Sequence, residues 1–328
     1  MAKKRKLRKI NPRKLSFKRL IICAGILTVA ALGLKTVHFF GDTETKDSIE
    51  SGIVTVIDLA RECPATPDEM VFLLDEIAHR LPFVYGESVD TGTLDTTGLA
   101  LGGSPQSSKP LSFLKNRAYI VGYDNDAGNP AWVAYKVFFP KNFESEERPT
   151  FETDFRTRSR VAPSDYTNSG FDRGHMAPNQ AMSVCYGETA QRESFLMSNI
   201  VPQIHEINAG VWKDLEQRIL KRYTRAFGDV WVICGPLYNK EIRARKLKGK
   251  IRVPDAFFMI VADRDENRGN ALRTLGFIVP HQKDISNNAR KYLSSIREIE
   301  RRSGLNFFPE FDDSVQNEIE QNPAKTIW

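Results

Sequence analysis

The chain has 328 residues, of which 41% are hydrophobic and 10% aromatic, and this composition excludes a largely disordered protein. The whole chain carries 47 basic and 41 acidic residues, and residues 1–19 hold ten of the basic ones and no acidic one. The remainder therefore has 37 basic against 41 acidic side chains, a net charge of −4. The overall charge of +6 is a property of the first segment and does not indicate nucleic-acid binding by the folded part.

Residues 20–40 follow the basic flank of residues 1–19 and predict a membrane anchor. Leu20 to Leu34 is uncharged, but fifteen helical residues span only about 22 Å of a hydrocarbon core of about 30 Å. Extension to Phe40, with the Lys35 amine reaching the surface, gives a sufficient span. The basic flank places the N-terminus inside and the rest on the non-cytoplasmic side, periplasmic or extracellular. The alternative is a cleaved signal peptide and a secreted protein; the long basic flank favours the anchor.

Residues 41–85 predict a short helical region. Thr66 to Glu69 has the form of a capping box, and apolar residues follow it at helical spacing. Residues 86–110 are rich in Gly, Ser and Thr, which is typical of a linker, and we expect a domain over residues 111–328. The four cysteines lie at 23, 63, 185 and 234 without the close spacing of a zinc or redox motif, and their disulfide pairing is left open.

Residues 111–328 predict a mixed α+β domain with a largely antiparallel central sheet flanked by helices. Two β-rich runs on either side of a turn cluster, 118–123 and 131–138, predict a hairpin. Further strands are expected at 230–234, 257–261 and 275–279, and helices at 208–223 and 286–302.

The stretch SGFDRGHMAPN, residues 169–179, contains the histidine with the most unusual surroundings. Gly170, Gly174 and Pro178 constrain the backbone around His175, which indicates a shaped loop. A neutral histidine is the usual group for taking a proton from water near neutral pH. The alternative is a surface turn held by the neighbouring Asp172 and Arg173.

The stretch SNIVPQIHEINAGVWKDLEQR, residues 198–218, contains a second candidate pair. On a regular helix a spacing of eight places Glu216 two turns beyond Asn208 and about 80° around the axis, near enough to serve one site. Mg²⁺ prefers oxygen ligands and keeps several waters, so an amide oxygen and a carboxylate acting through water form a sensible shell. The alternative is that Asn208 is only a helix N-cap and Glu216 only a solvated residue.

Together, DRGHMAPN and the later N-x-x-x-W-x-x-L-E pattern resemble the DNA/RNA non-specific endonucleases, a family of ββα-metal nucleases. The resemblance extends over roughly residues 111–311 and does not cover residues 1–110. It implies a ββα-metal active-site element and hydrolysis of DNA and RNA with little sequence specificity. The cofactor it implies is Mg²⁺, with Mn²⁺ as a substitute.

The resemblance also implies roles for individual residues. His175 resembles the general base, Asn208 the single protein ligand of the metal, and Glu216 the residue that positions metal-bound water. An upstream arginine contacts the phosphate in this family. Arg148 is the catalytic candidate, while Arg160 and Arg173 are candidates for substrate binding. Arg156 and Arg158 stay open, and for Asp172 and Arg173 a loop-holding role is favoured over contact with the substrate.

The segment from Arg218 to Arg252 carries eleven basic residues against two acidic ones and predicts a surface for the nucleic-acid backbone or a solvated loop. The expected partners are DNA and RNA as substrates and the membrane through the N-terminal helix, and a homodimer is left open. Two other functions compete with the nuclease. One is a catalytically silent surface nucleic-acid-binding protein, and the other is a histidine-dependent metal phosphoesterase for small substrates.

Overall fold

The computed structural model describes residues 98–239, 244–265 and 271–328, which belong to one compact unit. The predicted basic flank, membrane anchor and short helical region lie outside the described residues. In the part of the chain that is described, no helix is both long enough and apolar enough to cross a membrane.

A seven-stranded sheet with only antiparallel neighbours forms the centre of the unit. In chain order the strands are β1 (Gln106–Ser107), β2 (Ser112–Lys115), β3 (Tyr119–Asp124), β4 (Asn129–Val137), β5 (Asp172–His175), β6 (Ile200–Gln203), β7 (Val230–Leu237), β8 (Lys246–Leu247), β9 (Ile251–Arg252), β10 (Ala256–Asp265), β11 (Ala271–Pro280), β12 (Leu293–Ser294) and β13 (Leu305–Asn306). The large sheet has the order β12-β11-β10-β7-β4-β3-β2, and the pairs β1–β13, β5–β6 and β8–β9 lie apart from it. The predicted antiparallel α+β fold and its 118–138 hairpin are confirmed.

Helices connect and flank these strands. They are α1 (Asn179–Tyr186), α2 (Glu188–Glu193), α3 (Trp212–Arg218), α4 (Thr224–Phe227), α5 (Ile296–Ser303) and α6 (Asp313–Glu320). Two π-turns, Ile207–Val211 before α3 and Ile219–Tyr223 between α3 and α4, belong with these two helices to one helical segment. The described residues also form 3₁₀ turns at Pro163–Tyr166, Met197–Asn199 and Ala289–Tyr292. The predicted helix over 208–223 is confirmed within that longer segment.

The large sheet is buried on both faces, which explains why its central strands are continuous apolar runs. Along β10 the side chains alternate: Phe257 and Met259 pack into one core, and Phe258 and Ile260 into the other. The first core is closed by α1, the helical segment and the loop after His175. The second core is closed by α5 and the residues that follow it. The helical segment that carries Asn208 is therefore fixed against the sheet by its apolar face.

The predicted linker is wrong over residues 98–110. Leu99 and Leu101 are each only 6% exposed and pack in the second core, and Ser107 pairs with Leu305. The Gly and Ser residues of this stretch form turns on either side of these leucines, so the folded unit already includes residue 98. Composition alone does not distinguish such a turn-rich segment from a flexible linker.

The predicted helix over 286–302 is also wrong in its first half. The chain forms a 3₁₀ turn and then β12, whose Ser294 pairs with Gly276 at the edge of the large sheet. The helix α5 begins only after Ser295, whose side chain accepts a hydrogen bond from the Glu298 amide at 3.1 Å. Gly304, with φ at +76°, ends it. Cys234 is fully buried, and both it and the half-buried Cys185 are free thiols.

Candidate active site

A small two-stranded unit followed by a helical segment holds the motif residues. Strands β5 and β6 pair antiparallel, with Asp172 opposite Gln203 and His175 opposite Ile200. The chain then enters the helical segment that carries Asn208. A Cβ atom at Gly174 would overlap the side chain of Gln203, so the glycine permits the close packing of the two strands. The predicted ββα arrangement is present.

His175 stands at the end of β5 between two aromatic rings. Its imidazole centroid lies 5.4 Å from that of Phe151 and 4.7 Å from that of Phe195. Its Nε2 is enclosed and has no hydrogen-bond partner within the described residues. Burial, and secondarily the positive charge of Arg148, lowers the pKa of His175 to about 3. The imidazole is therefore neutral at pH 7 and able to accept a proton.

Asn208 is oriented by a carboxylate on the strand beside it. Its Nδ2 donates to Oδ2 of Asp172 at 3.0 Å, and the same oxygen lies 2.8 Å from Nδ1 of His205. Because the amide nitrogen is committed to Asp172, the amide oxygen Oδ1 is left to accept from, or coordinate, another group. Asp172 thus holds the site together, which agrees with its predicted loop-holding role.

The helical segment around Asn208 is not a regular α-helix. The Asn208 amide donates to the Ile204 carbonyl, so the residue lies inside the first turn and the N-cap alternative is wrong. Gly210 has φ −104° and ψ −120°, outside the helical region, and the Trp212 amide donates to Ile207, five residues back. An extra residue in one turn sets later side chains back by about 100°, so Glu216 comes within about 20° of Asn208 rather than 80°.

A cavity of about 320 Å³ brings the predicted residues together. Asn208, Glu216 and His175 all line it, as do Arg148 and Arg173. Burial raises the pKa of Glu216 to about 8, and the charge of Lys213 opposes this shift in part. The desolvated carboxylate and the free amide oxygen are hard oxygen donors of the kind that Mg²⁺ prefers. No cluster of three or more His, Cys, Asp or Glu side chains suited to a metal exists in the described ranges, so a cation here would have few protein ligands.

The arginine candidates differ in where they lie. Arg148 and Arg173 reach the cavity, and Arg148 lies 5.3 Å over the Phe195 ring. Arg173 also donates to the Pro163 carbonyl at 2.8 Å, so it holds the loop while lining the site. Arg160, a predicted substrate contact, is only 8% exposed, packs on Phe155 and does not line this cavity. The prediction for Arg160 is therefore not supported by its position.

The two remaining arginines are also away from the cavity. Arg156 forms an ion pair with Asp154 at 2.7 Å and donates to the Lys115 carbonyl, a structural contact. Arg158 is exposed, and its amide donates to Asn125 at 2.7 Å. Neither residue lines the site.

Some lining residues were missed by sequence reasoning. Lys213 lines the cavity three residues before Glu216, a helical spacing that could have identified it. Gln180 and Gln217 also line it and bond to each other at 2.6 Å across two helices, which no local signal reveals. The predicted basic segment 218–252 is divided by the buried strand β7, so its charges do not form one continuous stretch.

Comparison with known proteins identifies the family of this chain. The profile of the DNA/RNA non-specific endonucleases matches residues 98–314, about two thirds of the chain. The chain belongs to this family. The match begins at residue 98 rather than at 111 as the sequence predicted, and the structure likewise has Leu99 and Leu101 buried in the second core.

Relatives and a solved structure extend the comparison. The chain is 32% identical over 247 residues to the mitochondrial nuclease EXOG of Danio rerio, covering 70% of each chain. It is 29% identical over 231 residues to a nuclease of Nostoc sp., covering 67% of this chain and 81% of that one. The EndoG/EndoGI complex provides a structure with a TM-score of 0.54 at 23% identity, covering 61% of this chain and 86% of that one, which is a likeness of fold. The protein is a hydrolytic nuclease acting on nucleic acids, and this argues against the catalytically silent alternative.

Proposed function

We propose that this nuclease is a Mg²⁺-dependent endonuclease that hydrolyses DNA and RNA with little sequence preference, with His175 as its general base. The observation that carries the proposal is the shared cavity of His175, Asn208, Glu216 and Arg148. Phosphodiester hydrolysis requires a base that deprotonates water and positive charge near the phosphate oxygens. His175 is the base, Arg148 supplies positive charge, and Asn208 and Glu216 would hold a cation.

His175 takes the proton of the attacking water. Its imidazole is neutral in the free protein, and its orientation is restricted by the Phe151 and Phe195 rings. An anionic phosphate in the cavity favours the protonated imidazole and raises its pKa, so the histidine becomes a stronger base when substrate is bound. Arg148 binds a phosphate oxygen from the side where its guanidinium already lies over Phe195.

Asn208 Oδ1 and the Glu216 carboxylate, the latter through water, are the groups that would hold a divalent cation. When bound, such a cation supplies charge stabilisation to the phosphate and to the leaving oxygen. Desolvation, which the charge of Lys213 offsets only in part, raises the pKa of Glu216 to about 8, and a cation in the cavity favours its charged form. Mn²⁺ offers the same preference for oxygen ligands and is expected to substitute.

The substrate is a polymer that is recognised mainly by its backbone. The candidate contacts are arginines and a lysine, Arg148, Arg173 and Lys213, which suit phosphate oxygens rather than base edges. Contacts of this kind carry little sequence information and weaken with salt. This is what distinguishes the proposal from a phosphoesterase for small substrates.

The location of the nuclease unit is part of the proposal. A non-specific nuclease facing the cytoplasm would damage the genome of its cell. The basic flank and the apolar segment of residues 20–40 support a membrane anchor with the nuclease on the non-cytoplasmic side, or secretion after signal cleavage. Resistance of the full-length protein to carbonate extraction from membranes is the expected result, and a soluble mature chain beginning near Leu34 would contradict the anchor. Whether the protein forms a homodimer is to be decided by measuring its molecular mass in solution.

Digestion of plasmid DNA and of RNA by the purified full-length protein tests the activity. With Mg²⁺ or Mn²⁺ both polymers should be degraded without a discrete fragment pattern, and excess EDTA should stop the reaction. The matched control is Asn208→Ala, which should lose metal-dependent cleavage while keeping its thermal midpoint. Full activity in EDTA, or a pattern of fixed fragments, would contradict the proposal.

A further inference from the structure

A second cavity, of about 440 Å³, lies at the beginning of β5, the strand that carries Asp172. Residues 169–171 form one wall, just before β5, and Ile204 contributes a second wall, just after β6. The opposite walls come from the chain after β9 and β11, including Asp255 and His281. The proposed catalytic residues do not line it.

The walls of the second cavity are held firmly. His281 Nδ1 lies 2.7 Å from the Pro254 carbonyl, and its Nε2 accepts from the Ile204 amide at 2.9 Å, so both ring nitrogens are engaged. The Phe171 amide donates to Ser169 Oγ at 3.2 Å, and Gly170 between them has φ at +78°. The cavity is therefore a shaped feature rather than a gap between mobile loops.

Positive charge converges on this cavity. Among the described lining residues, Arg245, Arg252 and Lys283 stand against the carboxylate of Asp255, a net formal charge of +2. Oδ2 of Asp255 accepts from the Asn239 amide at 2.7 Å. Arg252 lies 4.3 Å over the Tyr238 ring and donates to a backbone carbonyl, so its position is fixed.

Arg245 and Lys283 are the charges available to a ligand. Both side chains are exposed, and the structure records no ion pair for either within the described residues. The Arg245 guanidinium lies 4.8 Å from the centroid of Phe171, and this stacking restricts its rotamers. A guanidinium held in this way is suited to a phosphate group, because little side-chain entropy is lost on binding.

The second cavity lies at a fixed separation from the catalytic one. Phe171 and His175 are four residues apart along an extended strand, which corresponds to about 13 Å. The axial rise of about 3.4 Å per nucleotide of a duplex strand is a lower limit for the advance of an extended strand, so this separation spans about two to four nucleotides. A polymer bound at His175 can therefore reach Arg245, whereas a dinucleotide cannot reach both.

We propose that the second cavity is a subsite for a backbone phosphate of the substrate strand, a few nucleotides from the phosphate that is cleaved, and that Arg245 and Lys283 bind it. This inference rests on the proposed function and adds to it a specific path for the polymer. The charge of the cavity, its position beside β5 and the stacked arginine all fit an anionic polymer rather than a small neutral ligand.

Binding in EDTA separates this inference from catalysis. Affinity of the full-length protein for a labelled 20-nucleotide single strand is measured by fluorescence anisotropy across a salt series. The variant Arg245→Ala/Lys283→Ala should bind about tenfold more weakly and reduce the slope of log affinity against log salt by about 0.7 for each lost contact. The control Lys250→Ala removes one exposed positive charge from the same hairpin, outside both cavities, and should change neither quantity.

Cleavage supplies the second arm of the experiment. The double variant should raise KM for long strands while leaving kcat/KM for a dinucleotide unchanged. Wild-type affinity and salt slope in the double variant, or equal effects from Lys250→Ala, would overturn the subsite. A wild-type protein that binds the strand as expected but cleaves nothing would refute the proposed function and leave the binding result standing. Thermal midpoints of all variants confirm that they fold.

Discussion

Replacing Asp172 with alanine is expected to weaken metal binding although Asp172 is not itself a proposed ligand. Its Oδ2 is the acceptor for Nδ2 of Asn208 at 3.0 Å. Without this bond the Asn208 amide can rotate or flip, and its oxygen is no longer held toward the cavity. Asp172 is thus a positioning residue, and its effect should appear in the metal dependence of the reaction.

The size of the effect follows from the hydrogen bonds. A bond to a charged group contributes about 1.5–3 kcal/mol, equivalent to roughly a 10- to 150-fold change in an equilibrium constant. The Asp172 side chain is 34% exposed, which places the loss toward the lower end. We therefore expect the half-saturating Mg²⁺ concentration to rise about tenfold or somewhat more, within the range known for residues that support metal ligands.

The assay is the rate of DNA cleavage over a Mg²⁺ titration, with the thermal midpoint measured alongside. Excess Mg²⁺ should restore much of the rate in Asp172→Ala, and Asp172→Asn, which keeps an oxygen acceptor, should lose less. His205→Ala is the matched control: it removes the other partner of Asp172, but its side chain is 77% exposed and it leaves the bond to Asn208 in place. An unchanged Mg²⁺ half-saturation in Asp172→Ala would refute the positioning argument.

Three further perturbations test separate parts of the structure. His175→Ala should lower the cleavage rate by about 10²–10⁴-fold, as expected for a lost general base, while strand binding in EDTA and the thermal midpoint stay near wild type. Gly210→Ala should lower the cleavage rate by on the order of 10²-fold, because alanine favours the regular helix and its Cβ would lie 2.8 Å from Asn287 Oδ1. If the double variant Gly210→Ala/Asn287→Ala recovers full activity, the clash with Asn287 alone is responsible and the helical phase is not. Burial raises the pKa of Glu320 to about 7, so ionisation of this carboxyl lowers the free energy of unfolding as the pH rises from about 4.5 to 7. Glu320→Gln should therefore raise the free energy of unfolding by on the order of 1–3 kcal/mol at pH 8 and by almost nothing at pH 5. Thermal midpoints of variant and wild type that are equal at both pH values would contradict this.

The parts of the fold that sequence predicted correctly are those specified by local patterns. The strands at 230–234 and 257–261 are continuous apolar runs because both faces of the sheet are covered, and such runs are visible without knowledge of their partners. The helix predicted over 286–302 was wrong in its first half because the structure there depends on a distant part of the chain. Its edge strand β12 exists because Ser294 pairs with Gly276, a contact that depends on the position of β11.

In the candidate site, too, the residue types could be predicted from local sequence, whereas their exact placement could not. DRGH and the Asn208–Glu216 spacing identified the groups around the cavity, but the helical phase assumed for that pair was that of a regular α-helix. The kink at Gly210 changes the phase, and nothing in the local sequence other than the glycine indicates it. Among the upstream arginines, Arg148 lies over Phe195 at the cavity whereas Arg160 is buried against Phe155. Both are arginines near aromatic residues in one irregular segment. The path of that segment decides their difference, and it is set by tertiary contacts such as the pairing of Glu152 with Leu196 rather than by spacing.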